Sequence, residues 1–291
     1  MRNVFGMLLL SVLFACGEKQ RTAVDESQFA SYWYQNKAEI NVYALDQVRY
    51  GEIRKGEAVM IFVTEDFSTK KQVKLDNPQR SPSDARKVLK LNKTREFQTG
   101  VYPYNTMLSV FTPVYEELNS PKVVASVTEW CGQSFTQMNW RNSNYNVQQF
   151  SYFESEGDQD LKINAQSEDE LWNLIRLNPD LIEEGISRLI PGLVYQRFSH
   201  VKLQVENASI SKTSVNASVE EVQVEYQDLS RKLSIRYQKS FPHEILSWEE
   251  SEVSSAGDTL VTKAIRKKKQ MLDYWNLNSK SDEELAKSLS L

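Results

Sequence analysis

The sequence predicts a mainly β protein, with one large curved antiparallel sheet (a half-barrel or barrel-like form), an inserted helical pair and a short C-terminal helix. Three observations predict it. Apolar and polar residues alternate with period two along many segments, turn-forming residues separate those segments, and helical spacing behind a capping signature occurs at only two places. Alternation marks strands with one buried face. Strands joined in sequence by short turns pair antiparallel.

The alternating segments come in order. Ala38, Ile40 and Val42 alternate with Glu39 and Asn41. The strand Gln47–Ile53 is expected to turn at Arg54-Lys55-Gly56-Glu57 into a strand at Glu57–Val63. Ala58 to Val63 is apolar throughout, so both of its faces are expected to be covered. Asp76-Asn77-Pro78 and Ser81-Pro82 mark a loop. Val123, Ala125 and Val127 continue the pattern, as do Val201, Leu203 and Val205, then Val222, Val224 and Tyr226, then Leu233, Ile235 and Tyr237. About ten strands are expected, and a sheet that wide curls. Ser167-Glu168-Asp169-Glu170 is a capping box, followed by Leu171, Trp172, Leu174, Ile175 and Leu177 at helical spacing. Asn178-Pro179 ends that helix and starts another through Asp180–Ile186. This helical insertion near residues 165–192 is a point at which the β-rich body, 29–291, divides into two lobes if it divides at all. Ser281-Asp282-Glu283-Glu284 repeats the capping signature ahead of Leu285 and Leu289.

The N-terminus reads as an export signal. Arg2 precedes an apolar run from Val4 to Phe14, too short to span a bilayer as a helix, which takes about 20 residues. Leu13-Phe14-Ala15-Cys16 resembles the lipobox cut by the lipoprotein signal peptidase. The expectation is a signal peptide over 1–15, lipidation of Cys16, and a polar tether over 16–28. Acyl chains at about 0.8 kcal/mol per buried methylene would hold the protein on a membrane without spanning it. Gly17-Glu18 follows the cysteine where an aspartate could stand, and this favours the outer membrane. The periplasmic or surface side is left open.

Composition bounds the rest. The chain is 40% hydrophobic and 25% charged, with a net charge of −4, which suits a globular domain and argues against a nucleic-acid partner. Arg266-Lys267-Lys268-Lys269 is the one basic run, read as a solvated strand or helix end or as a contact for anionic headgroups. With Cys16 lipidated, Cys131 is left alone and an intramolecular disulfide is excluded.

Catalysis finds little material. A nucleophile needs a base within hydrogen-bond reach, and the only histidines are His200 and His243. Cys131 shares the parity of Val123, Ala125 and Val127, so it reads as a core-facing strand residue, with a thiol nucleophile served by His200 or His243 as the alternative. Glu65-Asp66, Glu116-Glu117 and Glu249-Glu250 are neighbours that point to opposite strand faces and do not converge on a metal. No metal site and no cofactor is expected.

Aromatic residues recur along the strands and suit pleated surfaces. Trp33, Tyr102, Trp130 and Trp140 are candidates to line a concave groove for an apolar or sugar-like ligand; core packing is the other reading.

The stretches Tyr32-Trp33-Tyr34-Gln35-Asn36-Lys37-Ala38-Glu39-Ile40, Arg49-Tyr50-Gly51-Glu52-Ile53-Arg54, Ile61-Phe62-Val63-Thr64-Glu65-Asp66-Phe67, Gly100-Val101-Tyr102-Pro103-Tyr104 and Glu129-Trp130-Cys131-Gly132-Gln133 together resemble an uncharacterised family of Gram-negative envelope lipoproteins. Members of that family often carry the label "septum formation inhibitor Maf". The resemblance implies export and lipidation but no established activity. True Maf proteins are cytoplasmic nucleoside triphosphate pyrophosphatases with a Ser-x-Ser-Pro-Arg-Arg motif. Here Arg80-Ser81-Pro82-Ser83-Asp84-Ala85-Arg86 lacks the Arg-Arg pair. The expected function is a non-enzymatic, membrane-anchored lipoprotein that binds an apolar ligand, lipid or envelope protein. The alternatives are a nucleotide pyrophosphatase or hydrolase, and an assembly subunit docking through strand edges or the tail Tyr274–Leu291.

Overall fold

The computed structural model describes residues 24–115, 119–253 and 257–289. The signal peptide, Cys16 and most of the tether lie outside the described residues, as do Glu116 and Glu117.

A short helix α1 (Glu26–Trp33) leads into β1 (Ala38–Arg49), β2 (Glu52–Ser68), β3 (Ala85–Thr99), β4 (Tyr102–Pro113), β5 (Lys122–Glu129), β6 (Gly132–Arg141), β7 (Asn144–Ser151), β8 (Gln159–Ile163) and the two-residue β9 (Gln166–Ser167). Then come α2 (Leu171–Leu177), β10 (Gly185–Ile190) and α3 (Leu193–Ser199). The chain continues through β11 (Glu206–Ser214), β12 (Val219–Tyr226), β13 (Arg231–Gln238), β14 (Ile245–Val253) and β15 (Thr259–Leu272), and ends in α4 (Glu283–Leu289). The mainly β expectation with a helical insertion and a C-terminal helix holds. The strands number fifteen and form a single sheet.

The order across that sheet is β8-β7-β6-β5-β4-β3-β2-β1-β15-β14-β13-β12-β11-β10-β9. Two antiparallel meanders meet where β1 pairs β15, and only β9 and β10 run parallel. Laid flat, such a sheet would be about 67 Å wide at ~4.8 Å per strand step. Yet its two edges, β8 and β9, are separated only by Asn164 and Ala165. Three residue steps reach about 11 Å at most. The sheet therefore curls until its edges nearly meet, without closing.

The helical insertion sits inside the curl. Side chains of residues 168–176 bond to β1, β3, β4, β7, β12 and β13. A segment about 15 Å long can do this only if the strands surround it. Every residue of α2 is buried. Trp172 meets the Trp248 ring edge-on at 5.5 Å, and Trp248 meets Tyr43 at 4.8 Å. Each such pair adds about 0.5–1.5 kcal/mol beyond area burial. One continuous core runs from Tyr145 in β7 to Val222 in β12.

Several expectations need correction. The first hairpin turns at Tyr50-Gly51, where both residues have positive φ (56° and 74°), as a two-residue hairpin demands. Gly56 instead lies inside β2, because a Cβ there would come within 2.7 Å of Phe97 Cβ and closer still to the Glu96 carbonyl oxygen. Ala58, Met60 and Phe62 face the core, but Val59 and Ile61 are only half-buried. Val201–Val205 is loop rather than strand. Beyond Pro179–Leu181, a single 3-10 turn, the expected second helix gives way to β10. The C-terminal cap is two residues early: Ser279 bonds Asp282 through both its backbone and its hydroxyl. The tail then packs back on the body, with Leu289 buried and Lys268 bonded to the Ser288 carbonyl.

Candidate functional site

The inner face carries an unusual density of buried charge. Ser167 caps a 3-10 turn over Glu168, Asp169 and Glu170, and all three acids are buried. They splay in different directions. Glu168 accepts from Arg231 and from the Tyr226 hydroxyl (2.8 Å). Asp169 accepts the Leu193 amide (3.0 Å) at the start of α3. Glu170 accepts the Ser120 amide (2.7 Å) and the Tyr145 hydroxyl. Arg95 and Arg231 also flank Glu250. Six residues after Glu170, Arg176 pairs with Glu39, both side chains fully buried, and donates to the Pro242 carbonyl (2.8 Å). Its guanidinium lies over the Trp33 and Phe62 rings at 5.0 and 4.7 Å.

The electrostatics follow from burial. Burial alone would raise the Glu39 carboxyl, but the Arg176 guanidinium more than offsets this and holds it at about 2. Burial raises Glu170 to about 7. Burial, with Glu168 beside it, raises Asp169 to about 7. Lys93 lies 3.5 Å from the Trp172 ring centre and 4.3 Å from that of Trp248, with no hydrogen bond or ion pair to a described residue. Burial and then Arg95 hold its amine well below the usual lysine range. Perturbed groups of this kind often mark active sites. Here the space beside them is about 10 Å³, and a neighbouring space of about 80 Å³ shares Tyr195, Arg231 and Glu250 with it. That admits a few waters rather than a substrate. The cluster fastens the helical insertion to the sheet.

The sequence candidates scatter. Trp33 is core, 1% exposed, and lines no groove. Trp140 is half-buried on the inner face, edge-on to Tyr145 at 4.9 Å. Tyr102 and Trp130 do come together, stacked 6.2 Å apart at one end of the sheet, where Trp130 is 72% exposed. Cys131 is not core-facing: it is exposed in the two-residue turn between β5 and β6, because the hairpin interrupts the parity of β5. Its amide bonds the Glu129 carboxylate, and a hydrogen bond to that carboxylate raises the thiol. His200 bonds Glu156 (2.7 Å), while His243 sits against Tyr237 and Phe241. Neither histidine makes a hydrogen bond to Cys131. Among the described residues no group of three His, Cys, Asp or Glu is placed to hold a metal, and no helix is long and apolar enough to cross a membrane. Glu249 and Glu250 do point to opposite faces, one to Lys263 and the other to Arg95. The basic run lies in β15, where Arg266 and Lys269 both reach Glu244.

Two ligand-sized spaces occur among the described residues: one of about 430 Å³ between β2, Lys90 and the tail residues Tyr274 and Trp275, and a larger one on the outer face. A cleft of about 670 Å³ lies across β6, β7 and β8, with the loop between β2 and β3 as one wall. Asp84 pins that loop, accepting from Ser68 and Thr69 hydroxyls (2.6 and 2.8 Å) and the Lys70 amide (2.8 Å). Gln72 then clips it to the sheet: its amide donates to the Trp140 carbonyl and accepts from Asn139, each at 2.7 Å. The lining includes the cations Lys71, Lys122, Arg141 and Lys162 and the single carboxylate Asp160. None of the four cations has an ion pair among the described residues. No protein-family model, curated protein or solved structure matches the chain.

Proposed function

We propose that the chain is an exported, lipid-tethered binding protein of the cell envelope that catalyses no reaction, and that its ligand occupies the outer cleft. The export signal and Cys16 support the address. The cleft carries the binding role: about 670 Å³ lies within the range of ligand sites, roughly 300–1,000 Å³, and its rim holds four cations that make no ion pair among the described residues. An apolar ligand is disfavoured because the aromatic supply of the inner face, Trp33, Trp172 and Trp248 included, is packed into the core. Catalysis is disfavoured because Cys131 lacks a bonded base and the perturbed acids are enclosed. Two measurements test the reading. Cys16→Ser should release the protein from membranes on fractionation. A photo-crosslinking residue replacing the exposed Gln148 in the cleft should capture a discrete adduct in cells, while one replacing the exposed Glu225 on the opposite meander should not. Unchanged fractionation would remove the address. Equal labelling at both positions, or none, would remove the binding site.

A further inference from the structure

We infer that the outer cleft, together with the next row of the same sheet face, takes an acidic oligosaccharide, with sugar rings resting on Phe135 and Phe150 just beyond the cleft lining and its acid groups drawn by Lys122 and Lys162. This rests on the reading of the cleft as the ligand site and names the class of ligand.

The register carries the inference. Lys122, Asn139, Asn146 and Lys162 are successive cross-strand partners through β5, β6, β7 and β8. Two residues along, Val124, Gln137, Gln148 and Asp160 form a second row. Two further along, Ser126, Phe135 and Phe150 form a third. Residues two apart share a face, so all three rows point outward, about 6.8 Å apart along the strands. Lys122 and Lys162 bracket the first row at about 14 Å, three strand steps. The surface thus grades from exposed aromatic rings, through four side-chain amides, to unpaired cations. Phe135 and Phe150 are 39% and 47% exposed.

Each row answers one part of a sugar. A pyranose has an apolar C–H face that lies against an aromatic ring. Its hydroxyls need partners that both donate and accept, which the amides of Asn and Gln supply. The amides are pre-set: Gln137 donates to Asn139 (2.7 Å), which donates to Gln72, which donates to the Trp140 carbonyl. Fixed donors lower the ordering cost of binding. Asn146 and Gln148 keep their side chains free of protein partners among the described residues. The cations draw a negative group. Asp160, at the end of the second row, accepts hydroxyls but repels a densely charged chain. This favours a sparsely charged glycan over a nucleic acid, which needs a continuous basic track. A lipid chain is disfavoured, because the three rows offer only Val124, Phe135 and Phe150 as apolar groups.

The test uses the full-length chain in detergent, with calorimetric titration of a hyaluronan hexasaccharide, which carries a carboxylate only on every second sugar, and of maltohexaose, pyrophosphate and a ten-residue oligothymidylate. Lys122→Gln/Lys162→Gln and Phe135→Ala/Phe150→Ala change exposed or half-exposed outer-face groups, and circular dichroism confirms that each variant folds. We expect the hyaluronan hexasaccharide to bind best. The lysine variant should weaken it about tenfold and flatten its salt dependence, and the phenylalanine variant should weaken both sugars. Pyrophosphate binding that is lost in the lysine variant without any preference for the acidic sugar would overturn the sugar assignment and leave the cleft standing. Oligothymidylate binding more tightly would also overturn it. If no probe binds, the assignment fails, and adducts at position 148 in cells then decide the cleft separately.

Discussion

Arg176→Met tests how the helical insertion is held. The wild-type side chain is fully buried, pairs with Glu39 through two hydrogen bonds, donates to the Pro242 carbonyl and lies over two aromatic rings. Breaking a buried pair by removing one partner costs about 3–5 kcal/mol, because the other charge is left in a dry site. Losing the ring contacts and the carbonyl bond adds about 1–2 kcal/mol, and thioether packing on the same rings returns about 1 kcal/mol. The net expectation is a loss of about 3–6 kcal/mol, or a Tm lower by about 6–24 °C at 2–4 °C per kcal/mol. Urea unfolding followed by tryptophan fluorescence reads it, since Trp33 adjoins the pair. Glu39→Gln/Arg176→Met removes the stranded charge, while Tyr32 and Asn41 can still donate to position 39. It should recover at least half of the loss. The variants should also differ in pH response. In Arg176→Met the folded Glu39 pKa rises above its unfolded value, so stability should increase as pH falls from about 7 to 5. A single-variant cost below about 1 kcal/mol, or a double variant no better than the single, would refute the reasoning.

Further expectations concern protons, a thiol and a glycine. Asp169 and Glu170 are raised to about 7 in the fold, so the folded state holds more protons than the unfolded chain between about pH 4 and 7 and loses stability as pH rises through that window. Glu39, held at about 2, and Glu250, also depressed, contribute stability above about pH 4.5 that is lost as pH falls toward 2. Chemical denaturation should therefore show a maximum near about pH 4.5; stability that is flat or rising from about pH 5.5 to 8 would contradict it. Cys131 should react with a maleimide without denaturant, faster as pH rises, and Glu129→Gln should speed the reaction severalfold at neutral pH by removing the carboxylate that raises the thiol. A rate indifferent to that change would show that Glu129 does not control it. Gly56→Ala should cost about 1–3 kcal/mol in thermal unfolding, because the new methyl meets the β3 backbone; a neutral effect would mean that the strands shift freely there.

The sheet was legible because alternation is a local signal, and β5, β12 and β13 follow it closely. Its strand order was not, because the pairing of Ala38 with Leu272 spans nearly the whole chain. In β1 even the polar positions are buried: Glu39 and Asn41 face the core alongside Tyr43, so alternation there marked two buried faces. Helices α1 and α3 were missed because each is only two turns long. Glu168-Asp169-Glu170 looked like an exposed first helical turn, and nothing local announced that Arg231, Tyr226 and Tyr145 would enclose it. The outer cleft had its residues in plain view as Gln137, Asn139, Asn146 and Gln148. Only the hairpin registers align them with Lys122 and Lys162.

The near-meeting of β8 and β9 has a mechanical consequence. Elsewhere around the sheet, neighbouring strands are laced by ladders of backbone bonds, and prising two of them apart would mean breaking a whole ladder. Across this seam no backbone ladder runs; the covalent link through Asn164 and Ala165 crosses it, with Glu156 beside β8 reaching Arg197 and His200 of the segment after β10. The wall can flex there at low cost, as a split ring opens at its gap. Because Ser167 and the acids of the filling follow directly from that link, any widening of the gap pulls on the contents as well as on the wall.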